Sequence, residues 1–326
     1  MALDRFGRRI RYLRISLTDH CNLRCVYCLP EDVTFRPNAE LMQDEEILTL
    51  VRVFADLGFD KFRLTGGEPT VRAHVVELVR GIARTPGVRS LTMTSNGVLF
   101  RRLAKPLAEA GLQRVNFSLD TLNPEKFRRL TRRGSVEDVW AGIRAAQQAG
   151  LEPIKVNVVA VRDYNETDLV SMARLTQKYP WQVRFIEMMP FGGATEFQVT
   201  QSIGEDEILS LLEAEVAPLA PVNQGRLDGE ARVYRFPGAP GTVGFISTVT
   251  HPFCDSCNRA RLTADGRLRM CLLNEQEVDL LSPLRAGASL EEMRAIIVEA
   301  IWNKPWGHDL ANSSIPLNRV MSQIGG

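Results

Sequence analysis

The chain has 326 residues, of which 44% are hydrophobic and 24% charged, values close to the average for globular proteins. Forty Lys and Arg residues nearly balance thirty-nine Asp and Glu residues, and the net charge of +1 argues against a dedicated nucleic-acid-binding protein, which is usually strongly basic over a whole domain. No run of about 18 apolar residues is present, so we expect no membrane-spanning helix; residues 1–14 lack the apolar core of a secretory signal, so we expect a cytoplasmic protein.

Six strand patterns, interleaved with helical patterns, follow one another over the first two thirds of the chain. The predicted strands cover residues 12–17, 61–65, 90–94, 114–118, 154–159 and 181–187. The predicted helices cover residues 45–57, 72–84, 99–110, 124–130, 136–149 and 205–213, with a further helix that begins after an Asn165 cap. Such alternation predicts an α/β fold with a parallel sheet covered by helices.

The first predicted strand is not followed by a G-x-G-x-x-G pattern. Its absence favours a partial (βα)6 barrel of the TIM type over a dinucleotide-binding sheet. Glycines and polar residues follow several of the strands, and in barrels the carboxyl ends of the strands carry the active site.

The pattern changes after the sixth strand. Residues 218–240 are rich in Pro and Gly, and residues 242–248 form one more strand pattern. Asp265-Gly266 lies between two further strand patterns and is a strong hairpin signal. We therefore predict a barrel domain over residues 1–235 and a C-terminal α+β extension over residues 236–326, which covers either the bottom or the open side of the barrel.

Six cysteines fall into two groups of three, with no other cysteine between the groups. They are Cys21, Cys25 and Cys28 in the first group, and Cys254, Cys257 and Cys271 in the second. Disulfides are disfavoured in a cytosolic protein, and three cysteines cannot all pair within a group. Two metal hypotheses stay open: zinc sites completed by His20 and His251, or four-iron clusters that each leave one iron free for another ligand.

The first cysteine group has the spacing C-x3-C-x2-C, follows a strand, and has an aromatic residue, Tyr27, before the third cysteine. The next strand ends in Gly66-Gly67-Glu68-Pro69. Together these motifs resemble the radical S-adenosylmethionine (SAM) enzymes. The glycines let a backbone approach a ligand closely, and Glu68 offers an anionic acceptor for an ammonium group.

The second cysteine group, with the adjoining segment 257–261 and the terminal Gly325-Gly326, extends this likeness over essentially the whole chain. Here the sequence resembles the GTP 3′,8-cyclase family, which catalyses the first step of molybdenum cofactor biosynthesis. Two departures are minor: His20 stands where the family often has Arg, and Leu29 where Met is common. The resemblance implies that a radical derived from SAM abstracts the 3′ hydrogen of GTP, and that the ribose carbon then attacks C8 of guanine.

The resemblance also implies roles for individual residues. Two [4Fe–4S] clusters are held by the two cysteine groups, with the second cluster facing the guanine. SAM is contacted by Tyr27, Gly67, Glu68, Ser118 and Met189. GTP is contacted by Arg14, Lys61, Arg63, Thr94, Lys155, Arg184, Arg259 and Arg261. Catalysis further depends on Arg259, Arg261, Gly325 and Gly326.

The strand positions of Arg14, Arg63, Lys155 and Arg184 support a binding site for a highly charged anion. A lone buried cation is unfavourable, so four cations inside a barrel need an anion, and a triphosphate fits. The alternative is that these side chains point outward and pair with carboxylates on the helices. The arginine pairs at 8–9 and 132–133 are predicted to be solvated surface.

Several partners are implied by the resemblance: GTP as substrate, an electron donor such as flavodoxin or ferredoxin, and a cyclic pyranopterin monophosphate synthase that consumes the product. No nucleic-acid or membrane partner is expected, and a homodimer stays open. Two other functions also stay open: a radical SAM enzyme that modifies peptides, and a non-enzymatic zinc or redox-sensing module.

Overall fold

The computed structural model describes residues 2–192, 195–225, 227–308, 310 and 316–325. Its strands are β1 (Tyr12–Ser16), β2 (Lys61–Thr65), β3 (Ser90–Ser95), β4 (Arg114–Ser118), β5 (Lys155–Val159), β6 (Gln182–Ile186), β7 (Ala220–Pro221), β8 (Arg232–Arg235), β9 (Thr242–Ile246), β10 (Arg259–Leu262), β11 (Arg267–Arg269) and β12 (Val278–Asp279). Its helices are α1 (Asp44–Asp56), α2 (Val75–Ala83), α3 (Phe100–Glu109), α4 (Pro124–Thr131), α5 (Val136–Gln148), α6 (Leu169–Lys178), α7 (Thr195–Thr200), α8 (Glu205–Glu215), α9 (Leu281–Arg285), α10 (Leu290–Trp302) and α11 (Met321–Ile324).

The twelve strands form one sheet in the order β12-β11-β10-β1-β2-β3-β4-β5-β6-β9-β8-β7. Every pair from β10 through β1 to β6 and on to β9 is parallel, whereas the outer pairs at both ends are antiparallel. The strand order has two ends, so the sheet is not closed within the described residues. The predicted partial (βα)6 barrel is confirmed, with β1 to β6 as its six central strands.

The C-terminal part of the chain adds strands to both edges of this barrel. Strand β9 pairs in parallel with β6, while β10 pairs in parallel with β1. The predicted hairpin at Asp265-Gly266 is present, because β10 and β11 pair in antiparallel fashion around it. Strands β8 and β9 pair across residue 235, so the sheet continues there without a break, and the division into two domains at that residue stays a prediction.

The helices pack apolar faces against the sheet in the way that their spacing predicts. In α1, Ile47, Leu50, Val51 and Phe54 are fully buried, and the helix begins with a capping box between Gln43 and Glu46. None of the helices in the described ranges is long and apolar enough to cross a membrane.

Asn165 was predicted to cap a helix, and the structure shows that it does not. Helix α6 begins at Leu169, after a short 3-10 turn, and the Asn165 side chain does not cap that turn. Its amide instead accepts a hydrogen bond from the backbone of Val161 and donates to the carbonyls of Asp120 and Val159, each at 2.8 Å. The side chain is fully buried, so it satisfies backbone groups between strand ends rather than at a helix end.

Candidate active site

A cavity of about 270 Å³ lies inside the open barrel at the carboxyl ends of the strands. Both cysteine groups line it, although more than two hundred residues separate them in the chain. Ten of the other predicted site residues also line this cavity. They are Tyr27, Gly67, Glu68, Ser118, Met189, Thr94, Arg14 and Arg63, together with Arg259 and Arg261 from β10. The fold therefore brings the two motifs together in one space.

The first cysteine loop is fastened to the end of β2 by backbone hydrogen bonds. Gly67 N donates to Thr18 O at 2.7 Å, and Glu68 N donates to His20 O at 2.8 Å. A Cβ atom on Gly67 would come within 2.5 Å of Asp19 O and closer still to His20 O. The glycine thus admits the backbone of the cysteine loop itself, a close approach within the chain that the sequence did not reveal.

Gly67→Ala should therefore displace the first cysteine loop and lower both the thermal unfolding midpoint and the iron bound after anaerobic reconstitution. Gly204→Ala is the matched control, because a Cβ atom at Gly204 would meet nothing within 4 Å. Calorimetry and iron analysis of both variants test this. Parent-like stability and iron content in Gly67→Ala would contradict it.

Glu68 joins the ends of β2 and β3. Its carboxylate accepts hydrogen bonds from Thr70 N at 3.0 Å, Ser95 Oγ at 2.9 Å and Asn96 N at 2.7 Å. Burial raises the pKa of this carboxyl despite these bonds. Glu68 thus already organises the strand ends, and its role as acceptor for the ammonium group of SAM stays a prediction.

Asp120 and Asn96 are polar residues of this site that the sequence analysis missed. Tyr27 donates its hydroxyl to Asp120 Oδ2 at 2.7 Å, and Val159 N donates to Asp120 Oδ1 at 2.8 Å. Burial raises the pKa of Asp120 to about 6. Asn96 Nδ2 lies 3.9 Å from Cys21 Sγ. Asn96 directly follows β3 and Asp120 lies two residues after β4, positions at strand ends that could have indicated them.

The second cysteine group flanks the hairpin of β10 and β11 and is surrounded by cations. Lys304 is only 2% exposed, and its Nζ donates to the carbonyl of Arg259 at 3.0 Å and to that of Met270. Arg8 donates to the carbonyl of Cys254 at 2.6 Å. Arg8 is 8% exposed, so the prediction that it is solvated surface was wrong: its guanidinium donates to Asp4 and to the backbone carbonyls of Pro305 and Trp306.

The two cysteine groups differ in their electrostatic surroundings. Burial raises the pKa of Cys21 to about 11 and that of Cys28 to about 12. Burial would also raise the pKa of Cys257, but Lys304 and Arg259 lower it to about 7. The cations therefore favour the thiolate, which is the form that binds metal, at Cys257, whereas burial raises the pKa of Cys271 in the same group.

The arrangement of donors fits iron–sulfur clusters better than zinc. Within the described ranges, no three His, Cys, Asp or Glu side chains are placed to hold a single metal ion. His20 stacks on Phe35, with ring centroids 4.6 Å apart, and His251 Nδ1 lies 3.1 Å from Thr250 Oγ1. Neither histidine completes a closed site, whereas three thiols at each site fit a cluster with one iron open.

A row of three arginines crosses the floor of the cavity. Arg63 on β2, Arg14 on β1 and Arg261 on β10 occupy paired positions on neighbouring parallel strands. Like charges on paired positions repel, so this arginine row is unfavourable without an anion. Among the described residues, the buried Nε atoms of Arg14 and Arg63 have no hydrogen-bond partner. Both observations indicate an anion-binding site.

Two carboxylates from the segment before β8 enter this basic region, and the sequence analysis missed both. Arg14 Nη2 donates to Glu230 Oε1 at 2.6 Å, and Lys155 Nζ donates to Asp228 Oδ2 at 2.8 Å. Strand cations do pair with carboxylates, as the alternative interpretation supposed, but with the segment before β8 rather than with helices. Glu230 lines the cavity, whereas Asp228 is exposed.

Three predicted GTP contacts do not line the cavity. Lys61 is exposed at the start of β2, and Lys155 is paired with Asp228. Arg184 is 2% exposed and donates twice to Asn157 Oδ1, at 2.9 and 2.5 Å. Their contact with GTP stays a prediction.

The C-terminal tail reaches both cysteine motifs. Arg261 donates a hydrogen bond to the carbonyl of Gly325, and the backbone of Ser322 donates to the thiol of Cys28. Met321 lines the cavity, and Ile324 is 1% exposed. Gly326 lies outside the described residues.

Comparisons with known proteins agree with this architecture. The profile of the Radical SAM superfamily matches residues 15–176, and the profile named Molybdenum Cofactor Synthesis C matches residues 181–310. A solved structure of Streptococcus suis SuiB bound to S-adenosylmethionine superposes with a TM-score of 0.63 over 93% of this chain and 74% of that one, at 12% identity. These matches, with the open barrel and the first cysteine motif, place the chain among the radical SAM proteins.

Curated relatives define the family more narrowly. The GTP 3′,8-cyclase of Pelotomaculum thermopropionicum is 47% identical over 324 residues, which is 99% of both chains. That of Desulforamulus reducens is 46% identical over 99% of this chain and 100% of the relative, and that of Microcystis aeruginosa 47% identical over 98% and 99%. The chain belongs to the GTP 3′,8-cyclase family.

Proposed function

We propose that this enzyme converts GTP to (8S)-3′,8-cyclo-7,8-dihydroguanosine 5′-triphosphate, the first step of molybdenum cofactor biosynthesis, with SAM and two [4Fe–4S] clusters. The observation that carries the proposal is the single cavity lined by both cysteine groups and by the arginine row. When bound, the first cluster would pass one electron from the donor protein to SAM, and the carbon radical released from SAM would remove the 3′ hydrogen of GTP.

The arginine row and Arg259 bind the triphosphate in this proposal. Guanidinium groups suit phosphate because their paired N–H donors match its oxygens. The buried Nε atoms of Arg14 and Arg63 are donors that a phosphate chain would satisfy. Thr94 lies beside this row, 3.4 Å from Arg63 Nη1, and is positioned to contact the same ligand.

The first cysteine group and the strand ends around it bind SAM. Cys21, Cys25 and Cys28 would hold a cluster that binds the methionine part of SAM and supplies the electron for its cleavage. Tyr27, Gly67, Glu68, Ser118 and Met189 line the adjoining wall of the cavity. The role of these residues is to orient SAM and to keep water away from the radical.

The second cysteine group holds the guanine against its own ribose. A cluster on Cys254, Cys257 and Cys271 has one open iron, and these cysteines line the same cavity as the arginine row. Such positioning would convert attack of the ribose carbon on C8 into a reaction between fixed neighbours. A small redox protein such as flavodoxin or ferredoxin would donate the electron, and a cyclic pyranopterin monophosphate synthase would use the product.

Anaerobic turnover tests the proposal directly. The purified enzyme should contain about eight irons per chain, as two four-iron clusters require. Incubation with SAM, GTP and a strong reductant should give 5′-deoxyadenosine and the cyclised nucleotide, which mass spectrometry identifies. SAM cleavage without consumption of GTP, while a peptide is modified instead, would favour a peptide-modifying enzyme. A colourless zinc protein would exclude both.

Arg63→Ala should weaken GTP binding by about 2–5 kcal/mol, because it removes a desolvated, charge-assisted contact to phosphate. SAM affinity should be unchanged. The matched control is Arg267→Ala on β11, whose side chain is 39% exposed and pairs with Asp279. Anaerobic calorimetric titrations with GTP and guanosine measure the effect. Guanosine binding as tight as GTP binding in the parent protein would contradict the triphosphate assignment.

Arg184→Ala should have a smaller effect than Arg63→Ala in the same titrations. The Arg184 guanidinium is already bound by Asn157 and does not line the cavity.

A further inference from the structure

Glu230 places a carboxylate inside the basic region proposed for the phosphates. Its Oε1 accepts from Arg14 Nη2 at 2.6 Å, and its Oε2 lies 3.7 Å from Arg259 Nη1. The residue is 8% exposed and lines the cavity together with these arginines. A negative charge therefore already occupies the place that an anionic ligand requires.

Glu230 and its arginine partners come from distant parts of the sheet. Glu230 precedes β8, which lies beyond β9 towards one end of the sheet, whereas its two arginine partners lie on β1 and β10, across the barrel. The segment turns sharply before the strand, where Asp228 and Ala231 form an isolated β-bridge. Glu230 thus links opposite sides of the open barrel through its side chain.

The surroundings of Glu230 keep its carboxyl group ionised. Burial alone would raise the pKa of this carboxyl, but the nearby guanidinium groups outweigh burial and hold the pKa well below its usual range. The groups responsible are Arg14, Arg259, Arg63 and Arg184. The carboxylate in turn offsets the mutual repulsion of the arginines, which would otherwise be buried cations with few partners.

A phosphate group needs the same donors. Arg14 meets Glu230 through Nη2, while its Nε has no partner among the described residues. A phosphate that takes a pair of N–H donors from this guanidinium, Nη2 included, has to replace the bond to Glu230. When only a fraction of the protein has this guanidinium free, the apparent affinity for the ligand is the intrinsic affinity multiplied by that fraction.

We propose that Glu230 is a resident counter-anion of the phosphate site, which stabilises the ligand-free barrel and which the phosphate chain of the substrate displaces from Arg14. The inference rests on the proposed binding of the GTP phosphates at the arginine row. Loss of the carboxylate should lower the stability of the ligand-free protein, because the carboxylate stabilises the empty site. The same loss should raise the affinity for phosphate ligands, because the carboxylate competes with them.

Glu230→Gln tests the proposal in the full-length, iron-loaded protein. The amide keeps the shape of the side chain and removes its charge. The thermal midpoint without ligand should fall, while GTP and inorganic tripolyphosphate should bind about tenfold more tightly, since the removed charge lies within a few ångströms of the phosphates. Guanosine binding should not change. Glu230→Asp, which withdraws the carboxylate by one methylene, should tighten binding less and serves where the amide variant folds poorly.

Glu205→Gln is the matched control. Glu205 is likewise a buried carboxylate paired with an arginine, Arg232, but it does not line the cavity. This variant should lose stability without any gain in tripolyphosphate affinity. Unchanged or weaker tripolyphosphate binding in both Glu230 variants would overturn the counter-anion role alone. Failure of the parent protein to bind either GTP or tripolyphosphate would overturn the phosphate-site assignment, and the counter-anion role with it.

Discussion

Cys21→Ala is expected to abolish reductive cleavage of SAM completely. The thiol of Cys21 lies in the cavity beside Asn96 and Glu68, and its loss leaves two cysteines for the first cluster. A cluster with two thiolate ligands does not hold the iron that chelates SAM. No 5′-deoxyadenosine should form, and GTP should not be consumed.

Cys271→Ala is expected to separate the two activities. Cys271 follows β11 and belongs to the second group, so the first cluster and its contacts to the β2 end are unchanged. SAM cleavage should persist at a reduced rate, whereas cyclisation of GTP should be lost because the guanine is no longer held against the ribose. The difference between the variants follows from the assignment of one task to each cysteine group.

Anaerobic assays of 5′-deoxyadenosine and of cyclised nucleotide, on one preparation of each variant, measure both activities. Each variant should retain about four irons, which shows that the other cluster is intact. Circular dichroism checks that both are folded. Equal loss of both activities in both folded variants would contradict separate roles for the clusters.

The barrel could be predicted from the sequence because its signals are local. Strand and helix periods recur over short windows, and six strand–helix units in succession leave few architectures. The hairpin at Asp265-Gly266 was equally clear, since turn type depends on two residues. The cysteine motifs could be recognised for the same reason: each ligand set is nearly contiguous in the chain.

The electrostatic environment of the site could not be predicted, because its partners come from distant segments. Glu230 meets Arg14 across 216 residues, and Lys304 meets the Arg259 carbonyl across 45 residues. Arg8 resembles a solvated terminal arginine until the fold buries it against the second cysteine loop. Nothing in the neighbouring sequence of these residues marks them, because burial of a charge is decided by tertiary packing.

The C-terminal tail was predictable in part. Its terminal glycines indicated a role from the sequence, whereas the contacts that define this role come from distant segments. Arg319 anchors the tail to the hairpin through ion pairs with Asp265 at 2.9 Å and Glu277 at 2.6 Å. Beyond this anchor the chain turns into α11, and Gly325 is buried. The ion pairs of Arg319 and the burial of Gly325 therefore hold this segment in a defined position.

Gly325 fits its position because it lacks a side chain. Its φ is +73°, a backbone conformation that residues with a Cβ rarely adopt. A Cβ atom there would lie 3.2 Å from Ser16 Cβ and closer still to Thr65 Oγ1. The carbonyl of Gly325 accepts a hydrogen bond from Arg261, whose guanidinium is otherwise buried beside other arginines. The tail therefore fixes the orientation of one member of the arginine row.

Deletion of Gly325 and Gly326, or addition of one alanine to the end, should spare GTP binding and iron content but lower cyclisation by a factor on the order of 100. The truncation removes only the bond between Arg261 and the Gly325 carbonyl, so all the arginines that line the cavity keep their charge and GTP affinity should depend little on the tail. Hydrogen abstraction tolerates a misplacement of much less than 1 Å, so loss of the Gly325 carbonyl and reorientation of Arg261 should act mainly on turnover.

Gln323→Ala is the control within the tail, because the bond of its side chain is local: among the described residues, Gln323 Oε1 accepts from the backbone of Val320 at 3.2 Å. Anaerobic turnover and a GTP titration on the same preparations separate chemistry from binding. A truncated protein that cyclises GTP at the parent rate would show that the Arg261–Gly325 contact is structural packing. A parallel loss of GTP affinity would instead assign the tail to substrate binding, because a group that only positions Arg261 for the reaction changes turnover and leaves affinity in place.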